Sequence, residues 1–168
     1  MRRLAWPLFA ILPALLLAGC LHPLYGTMAD GGAVAEEMKA IEVEPVPARL
    51  GHYLGDALIF ALNGTGSHVP AKYKLIVTPH EGVQTPLIDT VTGLASAATV
   101  IVTANYVLVP LDGGVPITQG TAFVAASYDR TSQRFSDMRA ARNAEQRDAR
   151  QLADQIRIRL AAALATRT

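Results

Sequence analysis

The apolar positions in the first half of the chain follow a strand period and then a helix period. Residues 40–46 alternate aliphatic side chains with glutamates, which predicts a short half-buried strand. Over residues 50–62 the apolar side chains recur at i, i+3 and i+4, which predicts an amphipathic helix with one buried stripe. Asn63-Gly64 follows directly and favours the left-handed conformation that ends a helix.

The strand period then returns and dominates the centre of the chain. Residues 73–77 alternate, and residues 82–92 are predicted as a loop. Residues 95–110 alternate across two faces over their whole length, which predicts one long strand. Asp112-Gly113-Gly114 is typical of a hairpin turn, so residues 115–129 are expected to return as a strand that pairs antiparallel with it.

A final helix is predicted to end near residue 164. Its inner stripe consists of Leu152, Ile156, Leu160 and Ala163. Its charged residues are expected mostly on the outside, namely Arg147, Asp148, Arg150, Asp154, Arg157 and Arg159. The start stays open, because Ser136 could cap the helix but Asn143 forms a capping box with Gln146. We favour Asn143, which leaves residues 134–142 extended.

This order of elements predicts an α+β fold, with two helices packed on one face of a small, about four-stranded mixed sheet that contains a long antiparallel hairpin. The long strands carry Thr and Asn on the other face, so that face must meet water or a partner. The length of 168 residues suits one domain, and 51% hydrophobic residues exclude disorder. A net charge of +1 gives no bulk basicity for binding a nucleic acid.

The N-terminus carries the pattern of a bacterial lipoprotein signal. A basic start and an uncharged apolar run lead to Leu17-Ala18-Gly19-Cys20, where small residues precede the chain's single cysteine. We expect cleavage before Cys20, a diacylglyceryl thioether on its sulfur and an acyl group, such as palmitate, on its new amino group. Such chains make membrane anchoring effectively permanent. The predicted organisation is a signal peptide at 1–19, a lipidated N-terminus and tether at 20–39, and a single α+β domain at 40–168.

The residues that could carry chemistry are few. The histidines are scattered at His22, His52, His68 and His80, without the spacing of metal ligands, so no metal site is predicted. His52 and Asp56 are four residues apart on a helix and could form an acid–base pair, although solvated polar residues explain them better. No phosphate loop or placed nucleophile is found, so the chain is predicted not to be an enzyme and to need no cofactor.

Basic residues fall near strand ends or on the polar face of the sheet. They are Lys72, Lys74, Arg130, Arg134, Arg139 and Arg142. If they cluster, they could hold phosphate groups. The alternative is that they are ordinary solubilising surface charges.

Three parts of the chain resemble one family. The opening is Cys20-Leu21-His22-Pro23-Leu24-Tyr25-Gly26, the hairpin over residues 95–129 ends in Ser127-Tyr128-Asp129, and the tail contains Ala144-Glu145 and Leu152-Ala153-Asp154-Gln155-Ile156. Together with the lipobox, which is Leu17-Ala18-Gly19-Cys20, and the order of the elements, they resemble the lipopolysaccharide-assembly lipoprotein family LptE.

The resemblance implies an outer-membrane lipoprotein on the periplasmic side. Such a protein would plug and help assemble the β-barrel that exports lipopolysaccharide, and would assist delivery of lipopolysaccharide to the outer leaflet. Its partners would be that barrel, lipopolysaccharide and the membrane through the lipid anchor. Leu21 rather than aspartate after the cysteine agrees with outer-membrane delivery. Candidate lipopolysaccharide contacts, on charge and position alone, are Lys72, Lys74, Arg130 and Arg134.

Two other functions stay open at this point. One is a periplasmic lipid-anchored binding or adaptor protein that serves an ABC-type exporter in the inner membrane. The other, ranked far below, is a small lipid-anchored hydrolase that uses His52 and Asp56.

Overall fold

The computed structural model describes residues 29–64, 69–88 and 95–167, which contain three helices and one sheet. The helices are α1 (Ala29–Lys39), α2 (Ala48–Asn63) and α3 (Arg134–Ala165). The strands are β1 (Ile41–Val43), β2 (Tyr73–Ile88), β3 (Ala95–Pro110) and β4 (Thr118–Asp129). The predicted signal peptide, Cys20 and His68 lie outside the described residues.

The four strands form a mixed sheet in the order β1-β2-β3-β4. Strand β1 runs parallel to β2 and pairs with it only from Tyr73 to Leu75, whereas β2–β3 and β3–β4 are antiparallel. The β3–β4 hairpin turns through Gly113 and Gly114, whose φ values of 89° and 125° favour glycine. The α+β fold with a mixed sheet and a long hairpin is confirmed.

The core lies between one face of the sheet and the helices. The leucines of the predicted α2 stripe are buried, with Leu54 and Leu58 0% exposed, whereas Tyr53, Ala57 and Ala61 are partly buried. The even-numbered residues of β3 point to the same side, and Val102 and Leu108 are 0% exposed. Since every second residue of a strand shares a face, this alternation leaves the odd-numbered residues of β3 on a face that none of the described helices covers.

Helix α1 is an addition to the predicted elements. It occupies the inner part of the stretch expected to be the tether. Val34 and Met38, one turn apart, are 3% and 4% exposed and belong to the core cluster. Among the described helices, none is long and apolar enough to cross a membrane.

Strand β2 is longer than predicted, and the loop expected over residues 82–92 is wrong in its first part. Residues up to Gln84 continue the ladder with β3, and Leu87 and Ile88 rejoin it after an irregularity. The carbonyl of Leu75 accepts a hydrogen bond from the N–H of Glu44, just after β1, so the backbone of Leu75 faces away from β3. Pro79 lies four residues further along β2, and its backbone therefore also faces away from β3, where a proline is tolerated. The missing N–H of Pro79 therefore costs no bond to β3.

The preferred start of the last helix at Asn143 is wrong, because α3 begins at Arg134. Asp137 stabilises this start by accepting hydrogen bonds from the backbone N–H and the hydroxyl of Thr131, at 2.8 and 3.1 Å. The Asn143 amide oxygen instead accepts a hydrogen bond from Arg147, at 2.6 Å within the helix. Smaller differences are a shorter β1 and a β4 that begins at Thr118 rather than at residue 115.

Strand β4 forms one edge of the sheet, and α3 lies beside it. Three long side chains of α3 donate hydrogen bonds to backbone carbonyl oxygens of β4. The pairs are Arg147 to Ser127 (3.1 Å), Gln155 to Phe123 (3.3 Å) and Arg159 to Thr121. An uncovered edge offers these groups to another chain, so α3 protects the sheet from edge-to-edge pairing.

Removing two of these side chains together, as Gln155→Ala/Arg159→Ala, is expected to increase self-association. The double variant should also lose about 1–3 kcal/mol of unfolding free energy, since each net hydrogen bond contributes about 0.5–1.5 kcal/mol. Sedimentation velocity over a concentration series measures the association, with Arg142→Ala on an exposed part of α3 as control. A double variant that sediments like the control at every concentration would contradict the protective role.

Candidate functional site: the helix-free sheet face and the basic arm

The odd-numbered residues of β3 and β4, with the even-numbered residues of β2, form one broad surface that we term the helix-free face. Its central residues are Thr78, Thr99, Ile101, Thr103, Asn105, Val107, Thr121, Phe123 and Ser127. Phe123 is 56% exposed and pairs with Thr103. The predicted face rich in Thr and Asn is therefore present, with a large aromatic side chain at its centre.

Polar groups on the helix-free face are hydrogen-bonded to one another across strands. The Thr99 and Ser127 hydroxyls lie 2.9 Å apart, and the Thr121 hydroxyl donates to the Asn105 amide oxygen at 2.8 Å. Such pairs stabilise neighbouring strands and reduce the number of groups that a partner must satisfy. The face can thus contact a mixed polar and apolar surface at low desolvation cost.

The candidate basic residues separate into two pairs. Lys72 and Lys74 lie at the start of β2, where Lys74 pairs with Val109. Arg130 and Arg134 lie beyond the other end of β3, where Asp129 pairs with Ala97. At about 3.4 Å per residue, roughly 40 Å of strand β3 separates the pairs. One phosphate-bearing headgroup cannot contact all four.

Arg130 and Arg134 belong to a larger feature, residues 130–142, which we term the basic arm. It also contains Arg139, whose guanidinium lies 5.8 Å from the Phe135 ring centroid, and Arg142. Phe135 is 67% exposed, so the first turns of α3 extend beyond the core. Exposed cations and apolar side chains together suit an anionic amphiphile.

The exposed apolar residues of the basic arm were missed at the sequence level because residues 134–142 were expected to be extended. Phe135, Met138 and Arg142 are nevertheless spaced i, i+3 and i+7, which continues the helical period of the buried stripe toward the N-terminus. That spacing was the available signal.

A charged cluster lies beneath the start of α2. Arg49 donates two hydrogen bonds to the carboxylate of Glu145, at 2.9 and 2.6 Å, and Glu145 is only 3% exposed. The bond to Glu145 raises the pKa of Arg49 above its ordinary value. Burial, and then the charge of Glu145, raise the pKa of Glu81, while Arg49 opposes that rise. The Arg49–Glu145 pair therefore ties α2 to α3, and Glu81 of β2 lies within its electrostatic field.

Asp148 is the least expected member of this region, and its predicted outward position is wrong. It is 0% exposed, and neither carboxyl oxygen makes a hydrogen bond of ordinary geometry within the described structure. Burial raises its pKa to about 6; Arg147 and the Ala126 backbone amide oppose the shift, and Glu81 adds to it. A charged residue on a predicted helix gives no sequence signal of such burial.

His52 and Asp56 lie four residues apart on α2, and both are exposed. This is the ordinary position of solvated polar residues on an outer helix face. Within the described ranges, no group of three or more His, Cys, Asp or Glu side chains is placed to hold a metal ion.

Comparison with known proteins gives a family and a shared fold. The model of the LptE family, described as lipopolysaccharide-assembly, matches residues 38–160. A candidate lipoprotein from Caulobacter crescentus CB15 has a similar structure, with a TM-score of 0.65 and 23% identity over 80% of this chain and 97% of that one. Rare lipoprotein B from Shewanella oneidensis gives a TM-score of 0.56 and 15% identity over 75% of this chain and 95% of that one. No curated protein sequence matches significantly.

Proposed function

The chain belongs to the LptE lipopolysaccharide-assembly family, and from this we propose that it plugs the lipopolysaccharide-exporting β-barrel, helps to assemble it and assists delivery of lipopolysaccharide to the outer leaflet. It acts as a structural and ligand-handling partner and not as an enzyme. It works without a cofactor, apart from the lipid on Cys20. Its site of action is the periplasmic side of the outer membrane.

The observation that carries the proposal is the helix-free face. Outer-membrane β-barrels have a polar interior, and their apolar outer band is about 25 Å tall. The long strands of the helix-free face are of comparable or greater length, since the paired part of β3 spans roughly 40 Å. Its hydroxyl and amide groups, paired as Thr99–Ser127 and Thr121–Asn105, suit a polar lumen. Phe123 adds an apolar anchor at the centre.

The lipid anchor is supported independently of the sheet. The lipobox at Leu17-Ala18-Gly19-Cys20 has the pattern of a cleaved and lipidated site. The two structurally similar proteins are a candidate lipoprotein and rare lipoprotein B. A signal peptide over residues 1–19 and a tether after Cys20 would place the domain next to the inner surface of the outer membrane.

For lipopolysaccharide contact we propose that the basic arm contributes more than the lysine pair, because it combines four arginines with the exposed Phe135. Arg130→Glu/Arg134→Glu is expected to weaken lipopolysaccharide binding roughly tenfold, since exposed ionic contacts are worth up to about 1 kcal/mol each. Lys72→Glu/Lys74→Glu is expected to weaken it less. Titration of each folded variant with labelled lipopolysaccharide measures both losses.

The control for charge alone is Arg150→Glu, an exposed position about 24 Å along α3 from Arg134. A normally folded Arg130→Glu/Arg134→Glu variant with unchanged binding would discard these two residues as ligands. The same outcome for Lys72→Glu/Lys74→Glu would discard the lysine pair, independently of the arm.

Co-purification tests the proposed function. The tagged chain, expressed at its native level, is isolated from detergent-solubilised membranes after inner and outer membranes have been separated. We expect it in the outer-membrane fraction, with a β-barrel protein in stoichiometric amount. Recovery of the chain alone would contradict the proposal. Recovery from the inner membrane with an exporter component would instead favour the adaptor function.

A further inference from the structure

The exposed side of the basic arm combines arginines with large apolar side chains. Residues three or four positions apart lie on the same side of a helix, so residues 134, 138 and 142 line up, with residues 135 and 139 beside them. This surface, which we term the arm face, consists of Arg134, Phe135, Met138, Arg139 and Arg142, all of them exposed. Phe135 and Met138 are 67% and 46% exposed. The arm face is therefore amphiphilic, with cations and apolar groups interleaved.

The less exposed side of the arm carries its one acid. Asp137, Ala140 and Ala141 are partly buried, and the Asp137 carboxylate is occupied by its hydrogen bonds from Thr131. Residues 130–142 contain four arginines and one aspartate, whereas the rest of the chain contains 11 basic and 13 acidic residues. Positive charge is thus concentrated on the arm of an otherwise slightly acidic chain, and no acid on the arm face offsets it.

The arm face is long enough to contact an extended surface, and its base is fixed to the sheet. The buried residues of α3 begin at Ala144, and residues 134–143 before it span about 15 Å of helix. The Arg130 N–H donates a hydrogen bond to the Ser96 carbonyl at 2.9 Å. The base of the arm therefore lies at the end of the sheet where β3 begins and β4 ends.

An anionic phospholipid leaflet matches both parts of the arm face. Its phosphates suit the arginines, and its acyl boundary suits Phe135 and Met138, since arginine stems can lie along apolar surface while their charged ends stay at the headgroups. We propose that the arm face docks on the anionic phospholipid surface of the membrane that holds the lipid on Cys20. This inference rests on the proposed location at the outer membrane, but it requires neither the barrel nor the sugars of lipopolysaccharide.

The anchor explains how a small patch can be sufficient. A few arginines and two apolar side chains bind a membrane only weakly from solution, but a lipid on Cys20 makes the second contact intramolecular and raises its effective concentration. Docking places the sheet end next to Ser96 and Arg130 at the leaflet. The lysine pair at the other end, roughly 40 Å along β3, then lies away from it. Two contacts thus give the domain a defined orientation.

Tryptophan fluorescence of the full-length lipoprotein, reconstituted in vesicles without lipopolysaccharide, tests the docking. Trp6 is the one tryptophan of the chain, so Trp6→Phe/Phe135→Trp carries a single probe on the arm face. The vesicles contain phosphatidylcholine with brominated acyl chains, with or without phosphatidylglycerol. We expect bromine to quench the probe when phosphatidylglycerol is present and much less when it is absent. Trp6→Phe/Phe60→Trp, with its probe at a 71% exposed position of α2, is expected to stay unquenched. An unquenched arm probe, or equal quenching of both probes, would overturn the proposal.

Removal of charge shows whether the arginines hold the arm face on the leaflet. Arg134→Gln/Arg142→Gln, added to the arm probe, is expected to lower the docking constant about 25-fold, since each arginine near an anionic surface contributes about fivefold. Lys72→Gln/Lys74→Gln removes the same charge at the other end of the sheet and should leave the quenching unchanged. Quenching that persists without the two arginines would contradict docking by the arm face.

Titration of the same proteins with labelled lipopolysaccharide separates this inference from the proposed function. A folded Phe135→Trp variant that binds lipopolysaccharide but is not quenched in phosphatidylglycerol vesicles would overturn membrane docking and leave the proposed function intact. A variant that is quenched as expected supports docking, whether or not the barrel is recovered with the chain.

Discussion

Asp148→Asn is expected to raise the free energy of unfolding by about 2–3 kcal/mol at pH 7.5, because a shift of one pKa unit corresponds to about 1.4 kcal/mol. The carboxyl group is 0% exposed, and its pKa is raised from 3.8 to about 6. At pH 7.5 the folded protein must therefore hold a buried carboxylate that lacks ordinary hydrogen bonds. An amide of the same size carries no charge, so it avoids the larger cost of burying an ion and keeps only the smaller cost of burying a polar group.

The pH dependence has a definite sign. A carboxyl group with a raised pKa binds its proton more tightly in the folded state, so it favours folding at low pH. That contribution is lost as pH rises from about 4 to about 6, and it changes little above that range. Glu81, whose pKa is also raised, contributes with the same sign. The advantage of Asp148→Asn should therefore shrink by about half between pH 7.5 and pH 5.

Urea unfolding of both proteins at pH 5 and pH 7.5 measures this effect. Asp154→Asn is the matched control, because Asp154 lies on the same helix but its side chain is 64% exposed. The control is expected to change stability by less than about 0.5 kcal/mol at either pH. An Asp148→Asn variant that is less stable than the wild type at pH 7.5 would contradict the described environment of Asp148.

Arg49→Ala is expected to lower the free energy of unfolding by about 2–3 kcal/mol at pH 7.5. Removing one partner of a fully buried ion pair costs about 3–5 kcal/mol, because the other charge is left without compensation. Glu145 is nearly buried, but the Arg49 side chain is 57% exposed, so water can replace part of the lost interaction. The charge of Glu81 nearby increases the cost.

A second substitution separates the charge effect from lost packing. Glu145→Gln in the Arg49→Ala background removes the uncompensated carboxylate and should restore most of the lost stability. Lys39→Ala is the control, since Lys39 pairs with Glu36 at 2.7 Å on the surface, where such pairs contribute little. Urea unfolding of the wild type, Arg49→Ala, Arg49→Ala/Glu145→Gln and Lys39→Ala measures these differences in stability. An Arg49→Ala variant as stable as Lys39→Ala would show that the Arg49–Glu145 contact is not structural.

The sequence pattern predicts elements well where local and tertiary signals agree. Strand β3 alternates over its whole length and has the predicted bounds. The pattern fails where pairing or packing with another element determines the secondary structure. Pro79 and Gly82 favour a loop, yet β3 supplies a ladder for the second half of β2. The first turns of α3 bury little, and only Phe135 and Met138 continue its apolar stripe there, which is a weak helical signal.

The candidate site shows the same division. The Thr and Asn character of the helix-free face follows from alternation alone. The separation of the lysine pair from Arg130 and Arg134 does not, because it depends on the register between three strands. The burial of Asp148 depends on the packing of α3 and cannot be derived from a local pattern. Lipidation of Cys20 stays a prediction from the lipobox.

Cross-linking from the helix-free face in intact cells tests the central claim most directly. p-Benzoylphenylalanine in place of Thr103, which pairs with Phe123 at the centre of the face, reports what lies against the sheet. The account predicts one dominant adduct, to an outer-membrane β-barrel protein, which disappears without irradiation. An adduct to an inner-membrane exporter component, or no protein adduct in cells that export lipopolysaccharide normally, would contradict it.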